Sequence, residues 1–173
     1  MGKYTIQNMK SLPLPDQRHL DAAEGWLGLG DIRSATEELD QVSPEWRDHP
    51  LVLEITYQLC VGTKQWEKSI EIARNMARLL PRQPWGHFHL AYSLHELKRT
   101  GEAYATLKPV VDSFPKEWLM RFNLACYSCQ MGNLKEAMLW LNEAITLATH
   151  DDVQRLALED HDLKPLWPKI RAL

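Results

Sequence analysis

Shifted by 34 residues the chain falls back onto itself: Ala35, Ser69, Ala103 and Ala137 align, with Ile32, Trp66, Thr100 and Leu134 ahead of them. Leu39, Ala73, Leu107 and Leu141 follow, then Val42, Met76, Val110 and Ala144; Pro81 aligns with Pro115. Upstream, Ala22-Ala23, Thr56-Tyr57, Leu90-Ala91 and Leu124-Ala125 form an equivalent pair. No other feature restricts the fold as much. A segment this short cannot bury its own apolar face, so copies must stack on one another in a row.

Each repeat holds two runs with helical spacing. In the fourth, Leu124, Ala125, Ser128 and Met131 stand three or four apart, and Leu134, Ala137, Met138, Leu141, Ala144 and Ile145 do so again. Between such runs lie Gly30-Asp31 and Gly132-Asn133. There Gly can take the positive φ of a helix end, and Asp or Asn can cap the next start. Pro81 and Pro115 stop the second helix, and Pro84 suits a first turn. Pro109 falls inside a second helix and is expected to bend it or delay its start. The recurring Ala or Ser marks a close crossing of two antiparallel helices, which a larger side chain would push apart.

The expected fold is therefore all-α, a right-handed superhelix (an α-solenoid) of four antiparallel helical hairpins at residues 16–49, 50–83, 84–117 and 118–149. Residues 150–173 should supply a capping helix, Asp151 to Leu158, and then an extended, Pro-containing tail, because the last apolar face needs a cover. Residues 1–15, with "SLPLP", suit an extended arm.

On these residues the chain resembles the tetratricopeptide repeat family, as a small bacterial-type member. "NLACYSCQMGNLKEAMLWLNEAI" carries the likeness most strongly and "HLAYSLHELKRTGEAYATLKPVVDSFP" next. The chain departs from the family pattern where a bulky residue belongs early in the first helix, having His19, Leu53, His87 or Arg121 there.

Composition narrows the function. Apolar residues make up 45% and charged ones 25%, ordinary for a globular protein, and the formal net charge of -3 is spread without a basic block, so nucleic acid is not an expected partner. No apolar run approaches the roughly 20 residues of a membrane span, and the first 15 residues lack the apolar block of a secretion signal. Position 6 is Ile6, so a myristoylation signal is missing. The expected setting is cytoplasmic, which the sparse set Cys60, Cys126 and Cys129 also fits. No phosphate-binding loop, dinucleotide turn, GxSxG or HExxH occurs, so neither an enzyme nor a cofactor is expected. Paired acids such as Glu37-Glu38, Asp151-Asp152 and Glu159-Asp160 read as solvated or capping residues.

Cys126 and Cys129 form a CxxC, which invites a metal or redox reading. Both fall on one helix face, and His95 is the equivalent of Cys129 one repeat back. A zinc site on these three would still need a further ligand, and a redox CxxC belongs at a strand-to-helix junction. A second apolar line is more informative. After Leu90, Ala91, Leu94 and Leu97 fill the core face, Trp85, Phe88, Tyr92 and His95 form another stripe, continued by Leu119, Phe122, Cys126 and Cys129. Earlier repeats carry Glu54 and Gln58 on the same line. The resemblance implies that this line faces a concave peptide-binding groove, with the two cysteines in its lining.

Family members that clamp acidic chaperone tails use Lys, Arg and Asn there, whereas this chain has Leu20, Glu24, Glu54, Gln58, Phe88, Tyr92, Phe122 and Cys126. The expected partner is a protein or peptide with an apolar or mildly basic segment, and the expected role a non-enzymatic scaffold or adaptor. A small secretion-type chaperone shielding apolar client segments is an alternative; a Cys/His metal-binding or redox protein is a second. The stripe can instead be covered by the chain's own tail or by a second subunit.

Overall fold

The computed structural model describes residues 10–173, so most of the expected N-terminal arm lies outside the described residues. The first helix pair is α1 (Leu14–Gly28) with α2 (Ile32–Asp40), and α3 (Pro50–Gly62) and α4 (Trp66–Leu79) follow. Then come α5 (Pro84–Glu96) with α6 (Thr100–Leu107), and α7 (Trp118–Gln130) with α8 (Leu134–Leu147). Beyond the repeats lie α9 (His150–Glu159), a 3-10 segment (His161–Leu166) and α10 (Trp167–Ile170). Among the described residues there is no strand, and no helix is long and apolar enough to cross a membrane.

The period is strictest at the turn inside each repeat. First helices end at residues 28, 62, 96 and 130, and second helices start at 32, 66, 100 and 134. Each turn contains one residue in left-handed conformation: Gly30 (φ 78°), Lys64 (φ 56°), Lys98 (φ 63°) and Gly132 (φ 82°). That residue reverses the chain and lets the next amide reach back to close the helix. Asp31 N–H donates to the Trp26 carbonyl at 2.9 Å, Arg99 N–H to Leu94 at 3.0 Å and Asn133 N–H to Ser128 at 2.8 Å. Of the two expected caps, Asp31 accepts from the Ser34 amide, while the Asn133 side chain makes no capping bond.

Ala35, Ser69, Ala103 and Ala137 are all fully buried, as close helix crossings require. Ser69 keeps its hydroxyl satisfied 2.8 Å from both the Trp66 carbonyl and the Ser93 hydroxyl. Pro84 opens α5, and α4 ends at Leu79, before Pro81. Pro109 neither bends a helix nor delays one: α6 has already stopped at Leu107, and a 3-10 turn, Val111–Ser113, takes the chain onward. At the departing position of the fourth repeat, buried Arg121 is held by the Glu143 carboxylate at 3.2 Å and the Phe114 carbonyl at 3.3 Å.

The chain divides into two compact units, Met1–Thr63 and Lys64–Leu173, with the boundary between α3 and α4. Unit 1 has a core of Leu12, Leu20, Ala23, Val42, Val52 and Ile55. Asp16 is buried there and accepts from the Ser43 amide at 2.7 Å, which lowers its pKa below the ordinary carboxylate value. Unit 2 has a continuous core from Ile70 to Ile170. α4 and α5 pass closely at Gly86, where an added Cβ would run into the backbone of Met76 and Ala77.

The C-terminal segment is not the extended tail that its prolines suggest. Asp160 caps a 3-10 helix by accepting from the Asp162 amide at 2.8 Å, and α10 continues from it. Coiling is what turns Leu163, Leu166 and Ile170, three and four apart, to one side, where all three are fully buried. Val153 and Ala157 of α9 join them, and Trp167 Nε1 donates to the Ala157 carbonyl at 3.0 Å.

Candidate functional site

The expected groove residues fall in both units, and each unit has its own arrangement. In unit 1, Glu54 is half-buried on α3 and accepts from Gln58 Nε2 at 3.0 Å, one turn on. In unit 2, α5 carries Trp85, Phe88 and Tyr92 as a half-buried ladder. Trp85 and Phe88 meet edge to face at 6.0 Å between centroids; Phe88 and Tyr92 lie nearly parallel at 6.4 Å. Trp66 of α4 closes the ladder's side, edge-on to Tyr92 at 6.1 Å. These spacings suit aromatic pairs that share a surface without stacking face to face. On α7, Leu119 is half-buried, whereas Phe122 is buried, 6.2 Å from the Trp118 ring.

Where the ladder continues toward the helix ends, the C-terminal segment lies over it. His95 Nε2 is 2.7 Å from Asp162 Oδ2, and its Nδ1 is 3.0 Å from the Thr100 hydroxyl. With Asp162 ionised, Nε2 must carry a hydrogen, and in the neutral ring Nδ1 then accepts from Thr100. The imidazole also packs, tilted by 39°, against the Tyr127 ring at 4.8 Å between centroids. Gln130 Nε2 donates to the Asp162 carbonyl at 2.9 Å, and the Cys126 thiol donates to Asp160 Oδ2 at 3.4 Å.

Cys126 and Cys129 therefore lie beneath the C-terminal turn, with 3% and 4% of their surface exposed. Burial, then the Asp160 carboxylate, pushes the Cys126 thiol well above its ordinary range. Cys129 is raised too, by burial first and then by Asp162 and Asp160. A thiol so placed is a poor nucleophile and a poor metal ligand, because both roles need the thiolate. Among the described residues, no group of three or more His, Cys, Asp or Glu is arranged to hold a metal ion.

What stays open is Trp85, Phe88, Tyr92 and Leu119, bordered by acids. Glu96 stands one turn beyond Tyr92 on α5 and is half-buried. The Tyr92 hydroxyl is raised by burial first, then by the charges of Glu96 and Asp160, which sets both carboxylates near it. The sequence marks none of Glu96, Asp160, Asp162, Gln130 and Trp66 as site residues: Asp160 reads there as a solvated or capping acid, and capping is what it does here, while Trp66 reads only as a register position. Glu96 had a signal, since it continues the Phe88–Tyr92 line by four residues. Asp160 and Asp162 had none, because only the fold of the C-terminal segment brings them to α5 and α7.

Solved structures share this architecture. The chain is similar to MamA, residue 41 to the end, from Desulfovibrio magneticus RS-1, at 14% identity and a TM-score of 0.71, over 94% of this chain and 97% of that one. It is similar to a thermophilic TPR protein of Thermus thermophilus at 19% identity and a TM-score of 0.66, over 93% and 84%. MamA of AMB-1 matches at 21% identity with a TM-score of 0.63, over 77% and 78%. At these identities the likeness is one of fold. No protein-family model and no curated protein matches the chain.

Proposed function

With a tetratricopeptide-type helical fold as the premise, we propose that this protein is a non-enzymatic interaction module that holds a peptide segment of another protein on the first-helix face of unit 2. One observation carries the reading. The core of unit 2 is complete, yet Trp85, Phe88 and Tyr92 remain half-exposed in a row on α5. Burying an apolar anchor against such rings is worth about 1.5 to 3 kcal/mol per side chain. Two anchors support micromolar binding at best once ordering costs are subtracted.

The C-terminal segment is a wall of this site rather than a plug in it. Displacing it would expose Leu163, Leu166 and Ile170, fully buried side chains worth about 1.5 to 3 kcal/mol each. A peptide held by two anchors does not offset that. The binding surface is then the stretch from Trp85 to Tyr92 with Leu119, and the covered Cys126 and Cys129 support it from below.

The test is a capture experiment with the wild type and the Phe88→Ala, Tyr92→Ala double variant, followed by peptide mapping of whatever the wild type retains. Proteins that bind the wild type through a short linear segment and leave the double variant support the reading. Partners held equally by both proteins overturn it.

A further inference from the structure

The aromatic ladder ends against carboxylates, and the two kinds of surface together specify a ligand more narrowly than either alone. From Phe88 to Tyr92 to Glu96 is one helical turn each, so an apolar contact and a charge stand in line on α5. The C-terminal turn adds Asp160 and Asp162 beside them, fixed by the Cys126 thiol, the Asp162 amide and His95. The Asp162 carboxylate keeps 32% of its side-chain surface in solvent. Among the described residues, no Lys or Arg forms an ion pair with Glu96, Asp160 or Asp162; the arginine nearest in sequence, Arg99, is engaged by Glu102 at 2.7 Å and Glu67 at 4.0 Å. The positive groups close along the chain, Lys98 and Lys164, are exposed.

Resting on the peptide-binding reading above, we propose that the C-terminal turn is part of the binding site and selects the partner's charge: the ligand is a peptide with a lysine or arginine next to a bulky apolar residue. The apolar residue packs on Phe88 and Tyr92, and the cation sits among Glu96, Asp160 and Asp162. Charge complementarity is the reason to commit to this occupant. An acidic or uncharged segment on the same rings would leave three carboxylates beside it with no lysine or arginine to offset them. The carboxylates come from separate elements, α5 and the C-terminal turn, so the preference depends on the segment that closes the core.

A random peptide library displayed on phage and selected against the full chain tests this directly. The expected sequences carry Lys or Arg within two positions of Leu, Ile, Phe or Trp. Synthetic copies should bind tenfold or more weakly to Glu96→Lys, and about threefold more weakly to Glu96→Gln and to Asp162→Asn. Those losses should shrink as salt rises, and Asp112→Asn, an exposed acid in the same unit, should bind as the wild type does. Matching melting curves for Glu96→Gln and the wild type show that a loss is not one of folding. Selected peptides that need Phe88 but carry no positive charge and ignore Glu96→Lys would leave the peptide site standing and overturn the charge preference. A library with no Phe88-dependent binder would remove the peptide site itself, and this inference with it. Sedimentation of the wild type covers the remaining occupant: a dimer dispersed by Phe88→Ala would make it a second copy and overturn the proposal.

Discussion

In unit 1 the core cluster runs from Leu12 to Ile55, and every member lies in the first repeat, just ahead of it, or at the start of the second. In unit 2 it runs from Ile70 to Ile170, and its last members, Val153, Ala157, Leu163, Leu166 and Ile170, come from beyond the repeats. The contrast teaches that the repeat is a rule for turns and crossings, while sealing an apolar face is a separate task. Unit 2 assigns that task to a segment with no repeat pattern, and the same segment brings two carboxylates to the candidate groove.

The largest way to break the comparison is to open that seal. Leu166→Ala leaves a cavity beneath a fully buried side chain and should cost about 2 to 5 kcal/mol. Hydrogen exchange should show the loss in unit 2 and spare unit 1. The thiols report it independently: Cys126 and Cys129 should resist a thiol reagent in the wild type and react readily in the variant. Equal loss of protection in unit 1 would mean that the two units do not unfold separately.

Gly86→Ala should come next, at the upper end of the roughly 1 to 3 kcal/mol typical of overpacking. Its new Cβ meets the backbone of Met76 and Ala77, and no side chain there can turn aside. A variant melting like the wild type would show that α4 and α5 are not held that closely.

Unit 1 has its own handle in Asp16. Because the folded protein lowers this carboxyl's pKa, its contribution to stability is present above the ordinary value of 3.8 and fades as pH falls through the folded value. Amide protection in unit 1 should drop on acidification, and Asp16→Ala should flatten that part of the profile.

Much of this architecture was legible in the sequence. Gly30 and Gly132 mark two of the four turns, and the 34-residue register places the other two at Lys64 and Lys98. Lysine itself gives no sign of a left-handed residue, so only the register finds these turns. Gly86 was silent for the opposite reason: a glycine among aromatics acquires meaning only when a neighbouring backbone passes within contact. The ladder from Trp85 to Tyr92 was visible as leftover apolar spacing. Its boundary was not, because "LEDHDLKPLWPKI" has prolines and no long period, and its coil is dictated by the pocket that receives Leu163, Leu166 and Ile170.

The smallest expected effect sharpens the turn rule. Lys98→Gly should stabilise unit 2 by about 0.5 to 1 kcal/mol, since glycine takes a positive φ without the side-chain clash that lysine carries. Thermal melts resolve such a shift, and a destabilised variant would show that the lysine side chain has a role outweighing its strain.

Dependence on the C-terminal turn also sets an order of events during synthesis. A chain growing from its N-terminus has the whole core cluster of unit 1 once Ile55 has emerged, so that part can collapse while translation continues. Unit 2 must wait for Ile170, and until then α5 and α7 present their aromatic rings and both cysteines to solvent or to whatever guards nascent chains. The ribosome-bound intermediate is thus half-finished in a predictable place, and a stall between residues 150 and 165 should leave that half open to proteases and thiol reagents.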